Sequence, residues 1–192
     1  MWERNRATAS FNRPRNLQMF GDYQLPFGKG KPLLSHGFIA KLVGGWQING
    51  TMSIMDGTAF TVASFATSLN SPGNTTQTAD QVLDHVEIFG GAGRGVKYFD
   101  TAAFKGVTDV RFGNTGRNIL RGPGVFNVDR SVFRSFKVRE RANFQLRFET
   151  FNVSNTPAFA HPAATVTSSG FAEITSASAT ERRMRLALKV TF

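Results

Sequence analysis

The side chains that could do chemistry in this chain are few and scattered. There is no cysteine, which excludes disulfides and thiolate metal sites. The three histidines, His36, His85 and His161, stand far apart, each in a stretch without strand or helix period. Only Asp80, Asp84, His85 and Glu87 bring carboxylates and an imidazole close in sequence, as a loop metal site requires. Their spacing matches no defined ligand motif, and a solvated loop is the preferred reading. Gly90-Gly-Ala-Gly-Arg-Gly-Val has the composition of a phosphate-cradling loop. It lacks the Gly-Lys-Ser/Thr ending and a following helical pattern, so it reads as flexible loop. No Ser or Thr lies beside a His and a carboxylate in an elbow context, so acyl transfer finds no support. Neither an enzyme nor a cofactor is expected.

What remains is a set of charges spaced by two: Arg147 and Glu149, and Arg183, Arg185 and Lys189. The elements that must position them are strands. From Glu181 to Phe192 the chain reads E-R-R-M-R-L-A-L-K-V-T-F. Met184, Leu186, Leu188, Val190 and Phe192 share one parity; Arg183, Arg185, Ala187, Lys189 and Thr191 share the other. Successive side chains of a strand point to opposite faces, so this segment has an apolar face and a basic face. Phe144, Leu146 and Phe148 oppose Asn143, Gln145, Arg147 and Glu149 in the same way. The charges could bind an anionic solute or a plug. The favoured reading is a polar wall held by cross-strand pairs such as Glu149 with Arg185.

Strands are expected near 15–27, 46–56, 124–138, 143–154 and 181–192. In the first, Leu17, Met19, Tyr23, Leu25 and Phe27 share a face; in the second, Trp46, Ile48, Met52 and Ile54 do. In the third, Phe126, Val128, Val132, Phe136 and Val138 share theirs with Arg130 and Arg134, while Phe133 is the exception on the polar parity. Gly28 to Gly45 is a Gly/Lys/Pro-punctuated connection whose centre, Phe38 to Val43, suits a short helical turn. A tight basic turn, Arg139-Glu140-Arg141, joins the third and fourth strands. Residues 58–123 and 155–180 are long loops rich in small and polar residues, with one extended piece at Phe60 to Phe65. Loops of this length are unusual in a compact domain and ordinary on the outer side of a membrane barrel.

The fold class is therefore all-β, an antiparallel up-and-down meander forming part of a transmembrane barrel. With the C-terminus in the periplasm, both long loops lie outside. Phe27, Trp46, Phe136, Phe144 and Phe192 then fall at one end of their strands on the apolar parity, as one aromatic girdle. No run approaches the ~18 apolar residues of a membrane helix. The net charge of +10 has nucleic-acid binding as its default reading. The basic residues form neither a run nor a helical stripe, and no nucleic acid is expected as partner. Nineteen Phe against two Trp and two Tyr suit a broad apolar surface better than a base-stacking platform.

Several stretches carry a resemblance. They are Y-Q-L-P-F-G-K-G-K (23–31), G-G-W-Q-I-N-G (44–50), D-G-T-A-F-T-V (56–62) and Y-F-D-T-A-A-F (98–104). The series continues with G-R-N-I-L-R-G-P-G-V-F-N-V-D-R-S-V-F-R-S-F (116–136), F-Q-L-R-F-E-T-F-N-V-S-N-T-P-A-F (144–159) and L-A-L-K-V-T-F (186–192). In order and spacing the chain resembles the C-terminal third of TonB-dependent outer-membrane receptors, in particular the Oar-like barrel group. The resemblance implies a bacterial outer-membrane transporter with a plugged barrel of about 22 strands. It would import a bulky nutrient with energy passed on by TonB. It also implies that Phe192, with Val190 and Leu188, is the signal read by the barrel-assembly machinery. The partners it implies are outer-membrane lipid, that machinery, TonB through a plug domain, and an unidentified extracellular ligand.

Five strands leave open edges that hydrocarbon does not tolerate, and no signal peptide or plug is recognised, so the chain reads as a fragment that does not transport alone. Arg130 departs from the pattern, which favours Leu there; facing lipid, it calls for snorkelling or a register-shifting bulge, with snorkelling preferred. The rival readings are a soluble all-β carbohydrate- or ligand-binding module, whose apolar faces would pack on one another, and a basic nucleic-acid-binding domain.

Overall fold

A computed structural model describes residues 6–65, 76–138, 142–179 and 181–192. The expected turn at 139–141 lies outside the described residues. In chain order the strands are β1 (Asn16–Gln24), β2 (Trp46–Met55), β3 (Ala59–Phe60), β4 (Ala63–Phe65), β5 (Thr76–Thr78), β6 (Asp80–Gln81), β7 (Phe104–Lys105), β8 (Leu120–Arg121), β9 (Val125–Val138), β10 (Ala142–Phe151) and β11 (Arg183–Thr191). Helix α1 (Gly37–Val43) follows β1, and a 3-10 turn covers Thr101–Ala103. Two compact units result. A sheet unit comprises 17–54, 126–156 and 180–192; a loop-built unit comprises 1–16, 55–125 and 157–179.

The sheet unit is one antiparallel sheet in the order β1-β2-β9-β10-β11, so strands adjacent in the meander are adjacent in space. The register around β10 decides which side chains share a face. Phe144 stands between Phe136 and Val190, Leu146 between Arg134 and Leu188, and Phe148 between Val132 and Leu186. Directly opposed residues point to the same side, so these form one apolar row interrupted by Arg134. The alternate row pairs Gln145 with Ser135 and Lys189, Arg147 with Phe133 and Ala187, and Glu149 with Ser131 and Arg185.

Arg130 lies on the apolar side, opposite Thr150, and the pairing of β9 with β10 runs without interruption from Val138 to Arg130. No bulge intervenes on that flank. Room for the side chain comes from glycine: a side chain on Gly50 would begin 3.5 Å from Arg130 Cγ. Gly21, Tyr23, Ile48 and Gly50 line the same notch of about 240 Å³.

Strand ends differ from the periodicity where local chemistry intervenes. β1 stops at Gln24, three residues short of Phe27. Leu25 N still donates to Trp46 O at 3.0 Å, but Pro26 has no N–H, and Phe27 turns into a bridge with Leu33. β10 stops at Phe151 because Asn152 takes a left-handed φ of 50°. Its carboxamide then closes a turn, Oδ1 accepting from Thr156 N at 3.1 Å and Nδ2 donating to Thr156 O at 3.0 Å.

The loop-built unit corrects the expectation that 58–123 and 155–180 are long loops with little order. Short pairings β3–β8, β4–β5 and β6–β7 tie it together. Around them Phe60, Val62, Tyr98, Phe99, Phe104, Leu120, Phe171 and Ile174 form a buried core. Phe99 is fully buried, its ring edge-on to Phe104 at 5.7 Å and to Phe171 at 5.3 Å. The sheet's apolar row has no such interior: Leu186 is 71% exposed and Phe192 98%.

Candidate functional site: a two-faced wall

The polar face of β9, β10 and β11 gathers around Glu149. Alternation places Arg147, Glu149, Arg183, Arg185 and Lys189 on this one side, with Arg183 opposite Phe151 and Lys189 opposite Gln145. Arg185 Nε donates to Glu149 Oε2 at 2.6 Å and Arg147 Nη1 donates to Oε1 at 3.3 Å. The cross-strand pair of Glu149 with Arg185 is thus formed, and a same-strand partner is added. Glu149 is buried among these groups, which suits a carboxylate only when its charge is matched and its oxygens are bonded.

Two aromatic residues on the polar parity are part of the site and were not singled out for it from sequence. Phe133 lies under the Arg147 guanidinium at 5.2 Å, and Phe151 under that of Arg185 at 5.8 Å. An aromatic ring beneath a guanidinium holds it flat and attracts it electrostatically. The available signal was Phe133 itself, an apolar residue on a polar parity directly across from an arginine. Ser131 Oγ donates to Asn49 Oδ1, linking β9 with β2. Together Asn49, Thr51, Asp129, Ser131, Arg147 and Glu149 border an open cleft of about 410 Å³. The arrangement offers paired charges and amide or hydroxyl groups to a polar partner.

On the apolar face Phe136 and Phe144 stack nearly parallel, ring centres 5.7 Å apart. Trp46 opens β2 and donates its indole Nε1 to Leu42 O at 3.2 Å. Phe27 lies beyond β1 in the connection, and Phe192 follows Thr191, the last strand residue. The structure therefore brings Phe136 and Phe144 together directly and places Phe27 and Phe192 outside strands. Leu188 and Val190 both lie on the apolar side of β11, opposite Leu146 and Phe144.

Asp80, the Gly90–Val96 stretch and His161 are occupied with structure in the loop-built unit, while Asp84, His85 and Glu87 are exposed. Asp80 receives Arg111 Nη1 at 2.9 Å and Nη2 at 2.6 Å and also Asn114 N at 3.0 Å. The Arg111 hydrogen bonds, foremost, hold its carboxyl below the usual range. Among the described residues no three His, Cys, Asp or Glu side chains gather as a metal-binding group. In the Gly90–Val96 stretch Gly93 N donates to Ile174 O and Val96 N closes a turn on Gly93 O, so those amides are spent on the chain's own carbonyls. His161 Nε2 sits 2.6 Å from Thr58 Oγ1, its ring 5.2 Å from that of Phe60. Burial lowers its pKa, and repulsion from Arg13 adds to that.

The model of the outer membrane beta barrel domain family matches residues 1–185. The chain belongs to that family. No curated protein and no solved structure matches it. In an outer-membrane barrel the outward parity meets hydrocarbon and the inward parity faces a polar interior. This chain presents an exposed apolar row and a charged opposite face, the two kinds of surface that such a wall needs. Its place is the outer membrane.

Proposed function

We propose that this barrel chain is the C-terminal wall of a TonB-dependent receptor in a bacterial outer membrane. The whole receptor imports a bulky nutrient: outer loops capture it, a plug energised through TonB rearranges, and the lumen lets it pass. The chain itself supplies wall, loops and assembly signal, and performs no catalysis. Lipid meets the apolar row. The Glu149, Arg147 and Arg185 cluster, with Arg183 and Lys189, lines the lumen and faces a plug or an anionic solute. The observation that carries this reading is the apolar row of β11, exposed along its length and running to Phe192, behind a wall of paired charges. The ordered match of seven sequence stretches to TonB-dependent receptors supports the finer assignment. So does the folding of the long connections into a unit with its own core, which gives an extracellular surface the rigidity that capture requires.

Phe192, Val190 and Leu188 are read here as the docking signal for the barrel-assembly machinery. Deleting Phe192 in a full-length receptor is expected to lower its outer-membrane insertion, measured by fractionation and heat-modifiable mobility; unchanged insertion counts against that role. For the transporter assignment, the DNA upstream of the Met1 codon is expected to encode an in-frame plug and signal peptide. A stop codon immediately upstream, with a short transcript, would remove the TonB-dependent reading and leave the barrel.

A further inference from the structure

Helix α1 ends, like every helix, with backbone carbonyls that lack intrahelical partners. Two side chains of the sheet supply donors. Arg134 Nη1 donates to Leu42 O at 2.7 Å and Nη2 to Lys41 O at 2.5 Å, while Trp46 Nε1 donates to the same Leu42 O. Arg134 stands opposite Leu146, in the row of Phe136 and Phe144, and its guanidinium lies 5.9 Å from the Phe136 ring. The helix is therefore fastened to the apolar face, near the start of β2. A side chain on Gly28 would begin 2.6 Å from Gly44 Cα, so the two backbones bracketing the helix touch, and Ala40 is buried beside them.

The other side of α1 is open and greasy. Phe38, Ile39 and Leu42 form one stripe at helical spacing, and Phe38 is 79% exposed. Next to it is a cleft of about 760 Å³ lined by Lys29, Lys31, Lys41, Ser35, His36 and Arg134, with no carboxylate in its lining. Lys31 is steadied by donating to Gln24 Oε1 at 3.1 Å, and Arg134 is committed to the helix carbonyls. Lys29 and Lys41 are exposed. Apolar side chains at the level of strand ends, flanked by cations, match the layer where acyl chains meet phosphates.

We propose that α1 with Lys29, Lys31 and Lys41 is an interfacial anchor that seats an anionic glycerophospholipid. The phosphate occupies the basic cleft and the acyl chains lie along Phe38 and Leu42. This rests on the barrel-wall reading, in which long loops point outward and α1 meets the inner leaflet. Because the chain has no cysteine, single nitroxide labels at F38C, I39C and L186C report position directly. A full-length receptor carrying this chain, any other cysteine replaced, is reconstituted in phosphatidylcholine vesicles with and without phosphatidylglycerol. Labels at 38 and 39 are expected to be shielded from a water-soluble nickel relaxant and accessible to oxygen at the headgroup boundary, with L186C deeper. Phosphatidylglycerol is expected to immobilise the 38 label, and each Lys→Gln change at 29, 31 or 41 to weaken that preference about fivefold, the factor that ~1 kcal/mol per cation corresponds to. Nickel-accessible labels at 38 and 39 with a hydrocarbon-buried 186 label would overturn the anchor and spare the wall. A water-accessible 186 label would overturn both. Competition by free glycerol phosphate, or equal response to both lipids, would overturn the lipid site.

Discussion

The two units use the same residue for opposite purposes. In the loop-built unit phenylalanine makes a dry interior: Phe99, Phe104 and Phe171 meet edge to face, the arrangement that ring quadrupoles favour in a packed core. In the sheet unit Phe136 and Phe144 stack flat on a face, and Phe148 and Phe192 are exposed. Burial within the chain stabilises the first set. The second set gains only when something outside the chain covers it, which on the proposed reading is the bilayer. A basic chain rich in phenylalanine can therefore hold one region that folds around itself and one that leaves its rings uncovered, and exposure tells them apart where composition cannot.

The contrast breaks or sharpens most readily at Phe99. Phe99→Ala should cost the loop-built unit ~3–5 kcal/mol, as expected for emptying a fully buried aromatic site. Hydrogen exchange on a lipid-reconstituted full-length receptor carrying this chain should show protection lost in 55–125 and 157–179 while β9, β10 and β11 keep theirs. Simultaneous loss in both regions would mean that they form one cooperative unit and that the contrast is false.

A somewhat smaller effect is expected across one strand. Leu186→Arg puts a charge on the apolar side of β11 and should cost a full-length receptor carrying this chain ~2–4 kcal/mol of folding free energy in phospholipid vesicles. Ala187→Arg, its neighbour on the polar side, should cost at most ~1 kcal/mol, the repulsion from Arg147 directly opposite included. Urea titration of refolding yield measures both, and equal costs would remove the two-faced wall.

The smallest effect is the response to acid in the loop-built unit. His161 has a lowered pKa when folded, so the unfolded chain takes up the proton first. Its contribution is whole above about pH 6.5 and fades as pH falls towards the folded value. The carboxyls of Asp80, held low chiefly by Arg111, of Glu173, chiefly by Gly95 N and then Lys97, and of Asp56, chiefly by Arg15, act later. Their contribution is present above about pH 4 and lost below it. Thermal melts by near-UV dichroism should weaken in those two stages, and His161→Gln should erase the first. A single stage near pH 4 in the unaltered chain would show that His161 is not held neutral by the fold.

Strand positions were legible because a period of two is written locally: every second residue of 183–191 is apolar or basic whatever lies elsewhere. So was the pairing of Glu149 with Arg185, since the meander order and the parity bring opposite charges to adjacent strands. The short helix at Phe38 to Val43 was legible too, but not its fastening, which joins Leu42 to Arg134 across 92 residues.

Sequence alone determined the all-β meander and its two faces, because alternation and turn chemistry act between near neighbours. The tertiary structure alone decided that 55–125 and 157–179 fold around Phe99. Its links, such as Thr61 to Asn118 and Asn118 to Thr8, span 57 and 110 residues, and no local period encodes them. It also decided that Gly50 stands beside Arg130, on a strand that pairs with β10 without an extra residue. A missing side chain creates space only for whatever the register sets beside it.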